Sequence, residues 1–352
     1  MNESSCGMFR FLRLVNASVD LQKSINSSNA SLYLTDSDKV ILREWVIYPP
    51  YWPMKILLIA PVLCTCAASI AIPLILVAIF SNHSLRQETR FLLLGNALLC
   101  DLMYLVLYTL SAIFNAAHLV FNNVGCIIHL YLLAAMYSGG IITAVLMVIN
   151  TYLAVLWPLH YFTFLTFSRT KKLITLIWVT ALVIPTGLFV VMELTSHQLP
   201  CPINTCSLPI IMVLTLNGND AVKFTYLLSL AGVLICLSLI FCCYTMLYFK
   251  TKESGICKGF MSRASVTFLM HYALLFFYFC PLLVLVMETL LYVNNVIGLK
   301  TGLWVTLAVC NILMVIPKVL TPYMYGMRYR ELSNSVKLLF KTKCVHTDSP
   351  VS

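Results

Sequence analysis

Residues 56–80 read ILLIAPVLCTCAASIAIPLILVAIF, and none of these 25 side chains is charged. A helix crosses a bilayer core with roughly 20 apolar residues, whereas a barrel strand needs about ten in strict alternation. The stretch is too long and too evenly apolar for a strand, so it reads as a membrane-spanning helix. Lipid offers no hydrogen-bond partners, and a helix satisfies its own backbone groups. Six further stretches of the same kind follow, at 91–114, 127–149, 173–194, 224–249, 266–292 and 302–325. The expected fold class is an all-α membrane protein, a seven-transmembrane helix bundle.

Composition agrees with a lipid solvent. Of 352 residues, 60% are hydrophobic and only 10% charged, more apolar surface than one water-soluble core can hide. The net charge of +10 does not point to nucleic acid, because the cations lie scattered in short segments beside helix ends. There they fit topology and contact with anionic membrane lipid. Arg86 and Arg90, Arg169, Lys171 and Lys172, and the cations at 250, 252, 258 and 263 fall on one side, together with five more from 328 to 343. The opposite loops offer little beyond Lys223 and Lys300. Positive charge marks the cytoplasmic side, so the expected orientation is amino terminus outside and carboxyl terminus inside, in the plasma membrane.

Residues 1–54 are polar and rich in Ser and Asn, and are expected to form an extracellular tail, with the first helix acting as signal anchor. Four N-x-S sequons, at Asn2, Asn16, Asn26 and Asn29, make it a candidate glycosylated segment. A fifth, at Asn82, falls on the cytoplasmic side and is expected to stay unused. Residues 55–326 form the bundle. Residues 327–352 are expected to hold a short amphipathic eighth helix in the membrane interface and a cytoplasmic tail, with Cys344 as a palmitoylation candidate. Most of the 14 cysteines lie inside apolar stretches, where Cys acts as a small hydrophobe. Cys6, Cys126, Cys201 and Cys206 face the oxidising side. Cys126 is expected to bridge to the loop before the fifth helix. Spacing alone does not choose the loop partner, with Cys206 favoured and Cys201 the alternative.

Local motifs narrow the class. NALLCDL at 96–102, Cys126, TYLAV at 151–155 followed by Pro158-Leu-His-Tyr161, Trp178, Pro281 and Pro322-Tyr-Met-Tyr325 occur in one order along the chain. In this order they resemble the rhodopsin-like (class A) G-protein-coupled receptors. SLRQE at 84–88, Glu253 to Ile256, Ser262 to Ala264, PKVLT at 317–321 and Arg328-Tyr-Arg330 resemble an orphan subgroup of that family. The stretch 262–279, with His271, is similar to odorant receptors, which makes a chemosensory role an alternative. The resemblance implies a heterotrimeric G protein as intracellular partner and an outward-opening pocket for an unidentified small molecule or peptide.

Several positions depart from the family pattern. Asn150, Thr151 and Tyr152 stand where the resemblance implies an acidic residue, arginine and tyrosine, so the family's ionic latch cannot form. Pro73 and Thr321 replace asparagines of the first and seventh helices, and Phe279, two residues before Pro281, takes the place of a tryptophan switch. Phenylalanine cannot donate the indole hydrogen bond. The resemblance also implies that Asp101 helps to hold sodium and water. Lys318 aligns with one of the polar positions of that site, four residues before Pro322, and Gly140 with another. A lone ammonium at such depth costs several kcal/mol. Lys318 is therefore expected to pair with Asp101 and to stand in for the sodium ion.

His129, Leu133 and Tyr137 share one face of the third helix at i, i+4 and i+8. By resemblance that face lines the pocket, with Phe279 at its floor and Glu288 as a polar ligand contact. Leu133 stands where amine receptors carry aspartate, which disfavours a monoamine, and Val315 stands where opsins carry the retinal-binding lysine. The leading functional expectation is a ligand-gated receptor coupled to a G protein. The main alternative, motivated by Thr151, is a seven-helix protein that acts through partner proteins or receptor heteromers without coupling. A transporter is disfavoured by the lack of a convincing internal duplication. His271 and Asp101 are not part of an H-E-x-x-H or nucleophile-elbow motif, so no enzymatic activity, metal or cofactor is expected.

Overall fold

The computed structural model describes residues 51–117, 119, 123–156, 166–195, 206–207, 220–253, 263–294, 296–329 and 331–337. The glycosylation candidates Asn2, Asn16, Asn26 and Asn29, as well as Cys6, Cys201 and Cys344, lie outside them. The regular elements are α1 (Tyr51–Ser81), α2 (His83–Gln87), α3 (Thr89–Ala116), α4 (Asn123–Leu156) and α5 (Phe167–Thr195). They continue with α6 (Asp220–Glu253), α7 (Arg263–Val293), α8 (Leu299–Ala308), a π turn (Val309–Leu313) and α9 (Ile316–Arg328). Residues 331–337 are also helical. Four described stretches are long and apolar enough to cross a membrane: Lys55–Ser81, Thr89–Ala116, Val124–Thr151 and Leu299–Gly326. Helices also cover the fourth, fifth and sixth apolar stretches of the sequence.

α3 is the centre of the described bundle. Phe91, Leu94, Leu98, Asp101, Tyr104, Leu105 and Tyr108 recur three or four residues apart, and all are buried, as a helix with one broad inward face requires. It packs against α1 on one flank and α4 on the other, α4 leans on α5, α6 on α7, and α9 returns to α1 and α7. Outward faces stay apolar: Ile56, Ile59, Leu63, Ile70 and Val77 of α1 are all at least half exposed. In water such a face would be an aggregation surface, whereas in a bilayer it is the lipid side.

Polar side chains knit the helices where lipid cannot serve. Asn96 on α3 donates through Nδ2 to Thr143 Oγ1 on α4 at 2.8 Å and accepts from Trp178 Nε1 on α5 at 3.0 Å, so one amide fastens three helices. Thr65 and Thr109 join α1 to α3 through their hydroxyls, 2.6 Å apart. Between α1 and α2, Asn82 caps α2 by accepting from the Ser84 N–H, and its Nδ2 donates to Ser335 Oγ at 3.1 Å. The amide of this fifth sequon is thus engaged within the fold.

The last apolar stretch differs from the single uninterrupted helix expected at 302–325. The Met314 N–H bonds to the Val309 carbonyl, one residue beyond the α-helical partner, and Asn311 Nδ2 donates to the Leu307 carbonyl at 2.8 Å. The cause lies in Pro317, which has no N–H for the Leu313 carbonyl and crowds it with its ring. Relief comes as a one-turn π bulge, beyond which Val315, Lys318, Thr321, Pro322 and Tyr325 all face inward.

Candidate functional site

Two opposite charges meet deep in the bundle. Lys318 Nζ on α9 lies 2.9 Å from Asp101 Oδ1 on α3, and both side chains are only 1% exposed. Tyr278 on α7 donates its hydroxyl to Asp101 Oδ2 at 3.2 Å, with a longer approach of 3.5 Å to Oδ1. Three aromatic rings box the ammonium, with centroids 4.5 Å (Tyr104), 5.3 Å (Tyr137) and 5.7 Å (Tyr278) from Nζ. A desolvated cation is attracted to such ring faces by their quadrupole. A Cβ at Gly140 would meet Asp101 Oδ1 at 3.5 Å and Lys318 Nζ at 3.8 Å, ordinary contact distances. The pair itself occupies the space beside that glycine.

A buried ion pair needs such partners, because desolvating two charges offsets much of their mutual attraction. Here the carboxylate receives an ammonium and a phenol, and the ammonium receives a carboxylate and three π faces. One acidic residue thereby connects α3, α7 and α9.

The remaining motif residues are placed as follows. Asn150 is buried near the end of α4. Thr151 Oγ1 donates back to the Met147 carbonyl of its own helix at 2.9 Å. Tyr152 belongs to α4, but its side chain lies outside the described set, as do those of Phe279 and His271 on α7. Pro281 is buried in α7. Thr321 Oγ1 donates to the Pro317 carbonyl at 2.8 Å. Pro322 is buried, and Tyr325 stacks on Tyr329 with ring centroids 6.0 Å apart.

Of the expected pocket face on α4, His129 is buried and hydrogen-bonds to the Leu107 backbone. Leu133 belongs to the hydrophobic core. Tyr137 packs on Tyr104 at 5.7 Å and reaches the Lys318 ammonium. Glu288 is 4% exposed and lies against Gly302 of α8.

Where α4 begins, Cys126 and Cys206 form a disulfide with Cα atoms 5.6 Å apart, within the usual range. Asn115 at the end of α3 holds the backbone of Cys206 from both directions. Its Nδ2 donates to the Cys206 carbonyl at 2.6 Å, and its Oδ1 accepts from the Cys206 N–H at 3.1 Å.

Tyr278, Thr143 and Asn115 complete these constellations without having been singled out in the sequence. Each pairs with a residue at least 47 positions away, which no local spacing reveals.

Residues 73–325 match the family model described as 7 transmembrane receptor (rhodopsin family). The chain is also 32% identical, over 312 residues, to a Homo sapiens protein described as probable G-protein coupled receptor 148, an alignment covering 88% of this chain and 87% of that protein.

Proposed function

We propose that this chain, which belongs to the rhodopsin family of seven-transmembrane receptors, carries an extracellular ligand signal across the plasma membrane to a heterotrimeric G protein. In this reading all seven apolar stretches cross the bilayer, the amino terminus is outside, and residues 331–337 belong to the interfacial eighth helix. The Asp101-centred joint supports it most directly. It ties α7 and α9 to α3 through one carboxylate, so a displacement of α7 on the outer side is felt by helices that reach the inner side.

Sodium and water, which the family places beside such a carboxylate, have a substitute in the Lys318 ammonium. The inner contacts are as unusual as the core. Where an arginine would extend toward the G protein, the Thr151 hydroxyl turns back onto its own helix. That observation favours a second reading, in which the protein acts through partner proteins or receptor heteromers.

A ligand-free G-protein activation assay on the wild-type chain and on Thr151→Arg separates the two. Basal turnover in the wild type, or turnover gained with the arginine, is the expected outcome. Silence in both forms at normal surface expression overturns coupling and leaves the partner-protein reading.

A further inference from the structure

The lipid side of α1 carries one hydroxyl among its apolar side chains. Ser69 is exposed, and so are Cys66, Ile70 and Pro73. Three- and four-residue spacing puts all four on one face of the helix. Ser69 lies 14 residues from Lys55 and 12 from Ser81, the two ends of the apolar span. At 1.5 Å per residue these are about 21 and 18 Å. Ser69 therefore sits near the middle of the hydrocarbon layer, where water supplies no hydrogen bonds.

Two polar groups of this residue are left over at that depth. Pro73 lies inside the helix and has no N–H, so the Ser69 carbonyl loses the donor that the helical ladder would give it. Most hydroxyls of the bundle look after themselves. Those of Ser138, Thr151, Ser238 and Thr245 each donate to the carbonyl four residues earlier in their own helix. The Ser69 hydroxyl has no hydrogen-bond partner among the described residues. Proline is tolerated in a membrane helix where a neighbour satisfies the group it frees. Pro61, the other proline of α1, is buried, and Thr109 of α3 reaches its carbonyl at 3.3 Å. Pro73 lies on the exposed side instead.

An unused acceptor and an unused donor on one residue are complementary to that same residue in a second copy of the chain. Copies in one membrane share an orientation, and a two-fold axis along the membrane normal brings each residue to its counterpart at equal depth. We infer that the exposed face of α1 is a self-association surface, on which each Ser69 hydroxyl donates to the Ser69 carbonyl of the other copy.

Lipid tails cannot take this place, because they carry no donor. An unrelated helix would have to bring a donor and an acceptor to the bilayer centre, whereas a second copy has both at the required height. Cys66 and Ser69 are small enough for two backbones to come close, as interhelical hydrogen bonds in membranes require. Around them Ile59, Leu63, Ile70 and Val77, each at least half exposed in the single chain, close the contact. The pairing requires only that α1 crosses the bilayer, so it stands or falls independently of G-protein coupling.

The test counts copies of the full-length, fluorescently labelled protein in phosphatidylcholine vesicles by single-molecule photobleaching, over a range of protein-to-lipid ratios. The wild type should show a reversible dimer. Ser69→Ala removes both donors and should raise the dissociation constant by roughly tenfold. Pro73→Ala returns an N–H to the Ser69 carbonyl within its own helix. It should therefore weaken the dimer severalfold while raising the melting midpoint of the monomer, a combination that a merely structural proline would not produce. Leu239→Ala, on the exposed face of α6, should leave the dimer unchanged. Monomers at every ratio, or an unchanged dissociation constant in either Ser69→Ala or Pro73→Ala, overturns the surface. Should a variant fail to accumulate, copper-phenanthroline oxidation of the wild type in its membrane decides. A disulfide-linked dimer that disappears in Cys66→Ala and persists in the double variant Cys242→Ala, Cys243→Ala supports the α1 contact. No link through Cys66 overturns it.

Discussion

The Asp101–Lys318 pair is an interaction whose two halves cannot be removed one at a time without penalty. Lys318→Ala leaves a carboxylate enclosed with only Tyr278, and stranding one partner of a buried pair costs about 3–5 kcal/mol. Lys318→Ala together with Asp101→Asn strands no charge. The single variant should therefore lose more thermal stability and surface expression than the double, as a melting comparison of the purified proteins would register. Equal losses would mean that the two charges do not depend on each other. Because the ammonium occupies the place beside the carboxylate, sodium titration should leave both the melting midpoint and ligand affinity unchanged in the wild type. A sodium-dependent shift would show that the ion still competes for Asp101. The sequence alone could reveal this pair, since two opposite charges in otherwise apolar stretches demand each other. Tyr278 was not legible, because phenols are common in membrane helices and nothing in a local pattern says which one faces an acid.

Helices were legible wherever the apolar run was long, and their interruptions were not. The π turn at Val309–Leu313 follows from the missing N–H of Pro317, but the apolar pattern does not say that the ladder yields by widening one turn. The helix at 331–337 shows which forces matter for an element outside the bundle. Leu332 is fully buried, and Phe91 packs edge-on against Tyr329 at 5.2 Å just before it. Arg90 meets Glu88 at 2.6 Å and Glu331 at 2.9 Å, yet these side chains are 40–59% exposed. Exposed pairs contribute little, about 0–1 kcal/mol, whereas truncating a buried leucine costs about 2–5 kcal/mol. Leu332→Ala should thus release this segment to hydrogen exchange, and Glu331→Ala should scarcely change its protection. The reverse order would show that charge, rather than packing, docks the element.

Across the described bundle, the two ends are fastened by different means. The end where α3 stops and α4 begins has a covalent bond backed by the Asn115 clamp on Cys206. Losing a native disulfide typically costs 2–5 kcal/mol in small secreted domains. Asn115→Ala leaves that bond intact but removes a partner from a buried peptide group, at about 1–3 kcal/mol. Cys126→Ser should accordingly reduce surface expression more than Asn115→Ala, measured by antibody labelling of intact cells. Comparable loss would place the strength in the clamp.

At the centre the fastening is divisible. Asp101 presents Oδ1 to Lys318 and Oδ2 to Tyr278, like a joint held by two pins that can be drawn one at a time. Drawing the phenol pin releases α7 from the carboxylate while its packing on α6 and α9 remains, and leaves α3 and α9 joined, so the bundle gains a moving part without coming apart. A hydrogen bond to a charged group contributes about 1.5–3 kcal/mol. A ligand that prefers one position of α7 over the other by roughly 10- to 150-fold is therefore strong enough to draw that pin.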